Sequence, residues 1–226
     1  MQKLLSLFIV FVLVSFTQQP AKQKVIFFGD SITQAGVEKT GYITVLSDLL
    51  QKNGLNDRFD LIGAGIGGNK VYDLYLRLEE DVLSKKPDVV VIWIGVNDVW
   101  HKRLAGTGTD PDKFERFYQA IITILKAANI RVLLTTPAAV GERTDHSNEL
   151  DGDLNRYSTI IRNLATKNNC PLIDLRKDFL AYNLEHNKEN KESGVLTSDR
   201  VHLNETGNRF VAEKMLTALR ALPQGR

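Results

Sequence analysis

The chain has 226 residues, 29 basic and 27 acidic side chains for a formal charge of +2, and one cysteine. So small an imbalance, with no Lys/Arg block, leaves no electrostatic case for nucleic acid or other anionic partners. A lone cysteine excludes an internal disulfide, and Cys170, just before Pro171 at the start of an apolar run, reads as core.

In chain order, Lys3 and the apolar run Leu4–Phe16, broken only by Ser6 and Ser15, come first. They read as a secretory signal peptide rather than fold, because the run is short of the ~20 residues a spanning helix needs. Cleavage is expected after Thr17 or near Ala21; an uncleaved N-terminal anchor is the alternative. The expected mature protein is a single domain over residues 22–226, exported to the periplasm or beyond, with no stable membrane span. About 200 residues suffice for one domain with a full core.

Apolar runs then alternate with helical patterns. Strands are expected at Lys24–Gly29, Phe59–Gly63, Asp88–Gly95, Ile130–Thr136 and Pro171–Leu175. Helices are expected at Tyr42–Gln51, Tyr72–Ser84, Phe114–Ala128, Asp153–Lys167 and Gly207–Leu219. Continuous Val/Ile runs such as Val89-Val90-Val91-Ile92 suit strands covered on both faces. The rhythm predicts a three-layer α/β domain with a parallel sheet. Stretches 104–111, 137–152 and 183–198 read as loops.

Ligands in such sheets sit beyond the carboxyl ends of the strands, where Ser31, Gly67-Gly68 and Asn97 all fall. Ser31, in Gly29-Asp30-Ser31, is a candidate nucleophile; alone it would read more readily as a helix cap, and the other motifs reverse that. Of the four histidines, only His202 has a carboxylate, Asp199, spaced to orient its ring. The glycine-rich Gly63–Asn69 and the Asn97 amide can supply oxyanion donors, although glycine turns and Asn-Asp pairs are common. A metal reading of Asp199 and His202 lacks a second His/carboxylate cluster, so no metal and no cofactor is expected.

As a set and in this order, Gly-Asp-Ser, the glycine block, Gly95-Val96-Asn97-Asp98 and Asp199-Arg200-Val201-His202 resemble the SGNH hydrolases, the GDSL esterase/lipase family. The resemblance implies a flavodoxin-like fold with a five-stranded parallel sheet. It implies Ser31, Asp199 and His202 as the triad, and the Ser31 and Gly68 N–H groups with the Asn97 side chain as oxyanion hole. Three departures stand out: Gly63 where an asparagine is common, Leu203 where proline often follows the histidine, and a Gly67-Gly68 pair that leaves the donor ambiguous by one residue. Asp30, Gly67, Trp100 and His101 are further candidates for lining the substrate site.

The leading expectation is an exported serine esterase acting on short acyl esters, acetyl foremost, on a carbohydrate or small alcohol. A lysophospholipase or acyl thioesterase with the same triad is the alternative within enzymes. A non-catalytic glycan-binding module is the alternative outside them.

Overall fold

The computed structural model describes residues 21–223. The signal-peptide reading therefore lies outside the described residues, apart from Ala21.

Five parallel strands form one sheet in the order β2-β1-β3-β4-β5. They are β1 (Gln23–Gly29), β2 (Phe59–Gly65), β3 (Val89–Trp93), β4 (Arg131–Thr135) and β5 (Leu172–Ile173). The helices are α1 (Ser31–Ala35), α2 (Tyr42–Lys52), α3 (Val71–Leu76), α4 (Leu78–Asp81), α5 (Val96–Ala105), α6 (Pro111–Ala127), α7 (Asp151–Asn168), α8 (Leu175–His186) and α9 (Glu205–Arg220). This is the expected five-stranded α/β architecture. Helices α2 and α9 pack together, and α6 packs between α3 and α7. Val89 to Ile92 are at most 1% exposed, as a strand covered on both faces requires. Each such side chain contributes about 1.5–3 kcal/mol of burial.

The strand order reverses at β1: the chain moves one way to β2 and the other way to β3, β4 and β5. The crevice at such a switch point is where open α/β sheets bind ligands. Ser31 follows β1 and Asn97 follows β3, so the two flank that crevice.

Three elements differ from expectation. The helix expected over Tyr72–Ser84 is broken at Arg77 into α3 and α4, with a 3-10 turn at Leu83–Lys85. At the break the Arg77 guanidinium turns inward to the carbonyls of Gly29 (2.8 Å) and Ala64 (3.0 Å). Tertiary hydrogen bonds here outweigh the local helical pattern. Segment 96–105, read as a turn followed by a loop, is helix α5. Its buried residues are confined to its first turn, Val96 to Val99, so no apolar stripe marked it. Helix α8 was not expected, and it takes in residues 183–186 of the segment read as loop. It is capped by Asp174 and buries Leu175, Arg176, Phe179 and Asn183. Cys170 is a free thiol, half-buried against the core rather than within it, and burial pushes its pKa up.

Candidate active site

β1 ends in Gly29 because nothing larger fits there. A Cβ at this position would lie 2.5 Å from the Trp93 carbonyl and 2.4 Å from Thr33 Oγ1. Asp30 then caps α1, its Oδ1 accepting from the Ile32 N–H at 3.0 Å. Ser31 is the first residue of that helix, so its N–H has no intrahelical partner. Asp30 is only 2% exposed. Burial pushes its carboxyl up to about 7, opposed by the Ile32 hydrogen bond and the charges of His202 and Arg77. Buried as a cap, Asp30 offers no surface to a substrate, which corrects the expectation that it lines the site.

His202 comes to Ser31 from 171 residues away, with Nε2 2.9 Å from Ser31 Oγ. Its other ring nitrogen, Nδ1, lies 2.7 Å from Asp199 Oδ2. Asp199 Oδ1 accepts the backbone N–H groups of Val201 (3.1 Å) and His202 (2.8 Å), which folds the turn on itself. Burial pushes the Asp199 carboxyl up, but the hydrogen bonds from the His202 ring, the His202 backbone and the Val201 backbone outweigh it, and the net shift is downward. An ionised carboxylate only accepts, so Nδ1 carries the proton and Nε2 is left to accept from Ser31.

The turn itself is pinned from outside. Glu142, 1% exposed, accepts the N–H groups of Val195 (2.8 Å), Leu196 (2.6 Å) and Thr197 (2.8 Å). Thr197 pairs with Leu203 across the base of the turn, and Gly141 N–H donates to the Arg200 carbonyl at 2.9 Å. A strap following β4 thus holds the segment that carries Asp199 and His202. Nothing local in the sequence marked Glu142, since its partners lie more than 50 residues away.

The glycine loop after β2 is held by four side chains. Gln34 Oε1 accepts from Gly67 N–H at 2.7 Å, and Lys70 Nζ donates to the Gly68 carbonyl at 3.0 Å. Arg77 Nε donates to Asn69 Oδ1 at 2.7 Å, and Asn97 Nδ2 donates to the Asn69 carbonyl at 3.1 Å. The Gly67 N–H is therefore already used. Among the described residues the Gly68 N–H has no partner, which favours Gly68 over Gly67 as a donor to a ligand. Gly68 has φ +74°, a backbone state that glycine reaches without strain. Asn97 is 2% exposed in the first turn of α5, and its amide keeps a second N–H beyond the one given to Asn69. The next residue, Asp98, is buried and accepts the Val71 N–H at 3.2 Å; burial pushes its carboxyl up to about 7.

The Trp100–Arg103 segment is helix, not loop. Trp100 packs against the core, its ring 5.6 Å from that of His101. Lys102 and Arg103 pair with Asp110 (2.6 Å) and Glu149 (3.1 Å). His101 abuts the glycine loop: its Cε1 would lie 3.7 Å from a Cβ on Gly68. Desolvation and the nearby Lys70 charge lower its pKa. His186 stacks on Tyr182 with ring centroids 4.0 Å apart, and His146 is exposed; neither belongs to the cluster around Ser31. Among the described residues no group of three His, Cys, Asp or Glu is arranged to hold a metal, and no helix is long and apolar enough to cross a membrane.

Comparison with known proteins places the chain. Residues 27–210 match the GDSL-like lipase/acylhydrolase family. The acetylxylan esterase of Geobacillus stearothermophilus is 27% identical over 209 residues, covering 86% of this chain and 92% of that protein. The isoamyl acetate-hydrolyzing esterase 1 homolog of Rattus norvegicus is 26% identical, covering 83% and 78%. The crystal structure of the acetyl xylan esterase AlAXEase superposes with a TM-score of 0.85 at 69% identity, covering 87% of this chain and 99% of that one. With the family match spanning most of the sequence, the chain belongs to the GDSL-like lipase/acylhydrolase family and is a carboxylic ester hydrolase.

Proposed function

We propose that the protein is an exported acetyl esterase acting on acetylated carbohydrate through a Ser31–His202–Asp199 triad. The observation that carries the chemistry is the continuous relay from Ser31 Oγ to His202 Nε2 (2.9 Å) and from His202 Nδ1 to Asp199 Oδ2 (2.7 Å). Ser31 Oγ attacks the ester carbonyl while His202 Nε2 takes its proton. The tetrahedral oxyanion is received by the N–H groups of Ser31 and Gly68 and by the free N–H of Asn97. His202 then gives its proton to the departing alcohol, leaving an acyl-Ser31. Water, deprotonated by the same ring, attacks that ester and releases the acid. Asp199 fixes the ring and stabilises the imidazolium throughout. No step calls on a metal or cofactor.

The substrate reading draws on the relatives named as acetyl xylan and isoamyl acetate esterases, whose names share an acetyl group. The test is kcat/KM for acetyl, butyryl and longer acyl esters of one leaving group, run alongside acetylated sugars and lysophospholipid. A maximum at acetyl with turnover of acetylated sugar supports the reading. A maximum at eight carbons or more replaces it with the lysophospholipase or thioesterase alternative.

The export reading rests on Lys3 and the Leu4–Phe16 run. N-terminal sequencing of the mature protein should begin after Thr17 or near Ala21. Met1 retained on a cytosolic protein contradicts it.

A further inference from the structure

Lys70 is a buried cation with no part in the proton relay. It is 7% exposed, although lysine is almost never buried unless it is paired. Among the described residues no carboxylate lies within ion-pair distance of its ammonium. Nζ instead donates to the Gly68 carbonyl at 3.0 Å and stands 5.7 Å from the centroid of the Tyr72 ring. A carbonyl dipole and an aromatic face offset part of the cost of desolvating a charge, but they do not neutralise it. Arg77, the other cation holding this loop, is neutralised by Asp81 at 2.6 Å. Asp98 feels the Lys70 charge, yet burial pushes its carboxyl up to about 7, so below that pH it is mostly protonated.

The unneutralised charge is placed beside the oxyanion donors. Gly68 has the N–H that the glycine loop leaves unpartnered among the described residues, and Nζ sits on the carbonyl of that same residue. Bond lengths keep the N and O of one residue under about 4 Å apart, so the ammonium lies within about 7 Å of the Gly68 nitrogen. The next carbonyl, that of Asn69, accepts from Asn97 Nδ2 at 3.1 Å, so Lys70 and Asn97 grip adjacent carbonyls of one loop. Lys70 is itself anchored, its N–H donating to Asp73 Oδ2 at 2.8 Å where α3 begins. Desolvation and the Lys70 charge lower the pKa of His101, which keeps a second cation away from Gly68. Charge and donor are thus set before a substrate arrives, the condition for electrostatic stabilisation without reorganisation.

We propose that Lys70 supplies the fixed positive charge of the oxyanion hole while positioning its Gly68 arm. The inference rests on the oxyanion reading above and deepens it. An ester carbonyl is neutral when it binds and carries negative charge in the tetrahedral intermediate, so the ammonium stabilises the second more than the first. Acylation and deacylation both pass through that charge. Losing the ammonium slows both steps and leaves KM nearly unchanged.

The test measures kcat and KM on an aryl acetate in the wild type, Lys70→Arg, Lys70→Gln and Lys70→Met. It adds the inhibition constant of phenylboronic acid, which joins a serine oxygen as a tetrahedral anion. Circular dichroism and thermal melting check the fold. Lys70→Arg keeps donor and charge, Lys70→Gln keeps a donor alone, and Lys70→Met keeps neither. The two uncharged variants should lower kcat by about 10- to 30-fold, weaken phenylboronic acid by a similar factor and move KM less than about threefold. Lys70→Arg should stay within about threefold of the wild type in all three. A Lys70→Gln protein as active as Lys70→Arg overturns the proposal, as does a raised KM with kcat kept. Lower melting temperatures with unaltered kcat per folded molecule assign Lys70 to the fold alone and overturn it as well. Phenylboronic acid that binds Ser31→Ala as tightly as the wild type removes the oxyanion reading and the proposal together. Where its binding requires Ser31, equal constants across the four Lys70 proteins overturn only the proposal.

Discussion

The two halves of the candidate site are built in opposite ways. Ser31, Gly68 and Asn97 follow strand ends closely; Asn97 itself is buried, and so are Asp30 and Asp98 beside Ser31 and Asn97, each at most 2% exposed. Asp199 and His202 sit on a turn, with side chains 52% and 36% exposed. The first half inherits its geometry from the sheet. The second is held by hydrogen bonds within its own turn and by a distant strap, which through Glu142 grips the backbone leading to it. A rigid nucleophile and oxyanion frame can thus be paired with a base that depends on a few long-range hydrogen bonds.

That contrast can be broken most severely at Ser31. Ser31→Ala should lower kcat by about four orders of magnitude or more while leaving the circular dichroism spectrum unchanged, because it removes only the attacking oxygen. His202→Ala should have a comparable effect. Near-normal turnover by a folded Ser31→Ala protein refutes the nucleophile assignment.

Asn97→Ala probes the strand-built half. Loss of one oxyanion donor should cost about 100- to 1,000-fold in kcat. If Asn97 serves only to hold the Asn69 carbonyl, thermal stability should fall while kcat per folded molecule is kept.

Glu142→Gln probes the strap-held half. Replacing an acceptor oxygen with an NH₂ group sets a donor against one of three backbone N–H groups. A small displacement of the turn should lower kcat by about 10- to 100-fold with little change in KM. A lower melting temperature with unaltered kcat would mean that Glu142 stabilises the fold without positioning His202.

The smallest effect concerns the buried carboxyls of the first half. Burial holds Asp30 and Asp98 near 7 in the folded protein, well above their unfolded values. The folded state therefore keeps protons that the unfolded state releases. The stability this contributes is fully present below about pH 4 and is lost as pH rises through 7. Between pH 5 and 8 the unfolding free energy of Asp98→Asn should fall less than that of the wild type, by roughly 1–3 kcal/mol. Parallel pH profiles in urea titrations would contradict the burial of an ionisable group at this position.

Much of the strand-built half was legible in the sequence, and less of the other. Unbroken apolar runs such as Val89–Ile92 mark buried strands, and Ser31, Gly68 and Asn97 follow strand ends within a few residues. Their contacts are nearly fixed by where the strands stop. The Asp199/His202 pairing was readable because its partners are three residues apart. What holds that pair was not readable, since Glu142 acts across more than 50 residues; nor, in the strand-built half, was Arg77, which reaches 48 residues back to Gly29 while also donating to Ala64 and Asn69. Helix α5 was hidden for a related reason. Its first turn is committed to the site through Asn97 and Asp98, and its remainder is mostly polar, so neither end shows helical periodicity.

The central claim is that Ser31 carries the acyl group. Rapid acid quench during turnover of an aryl acetate, followed by proteolysis and mass spectrometry, tests it directly. An acetyl group is expected on Ser31 within the first turnover, absent from Ser31→Ala. A stable acetyl adduct on another residue, or full turnover by a folded Ser31→Ala variant, would contradict it.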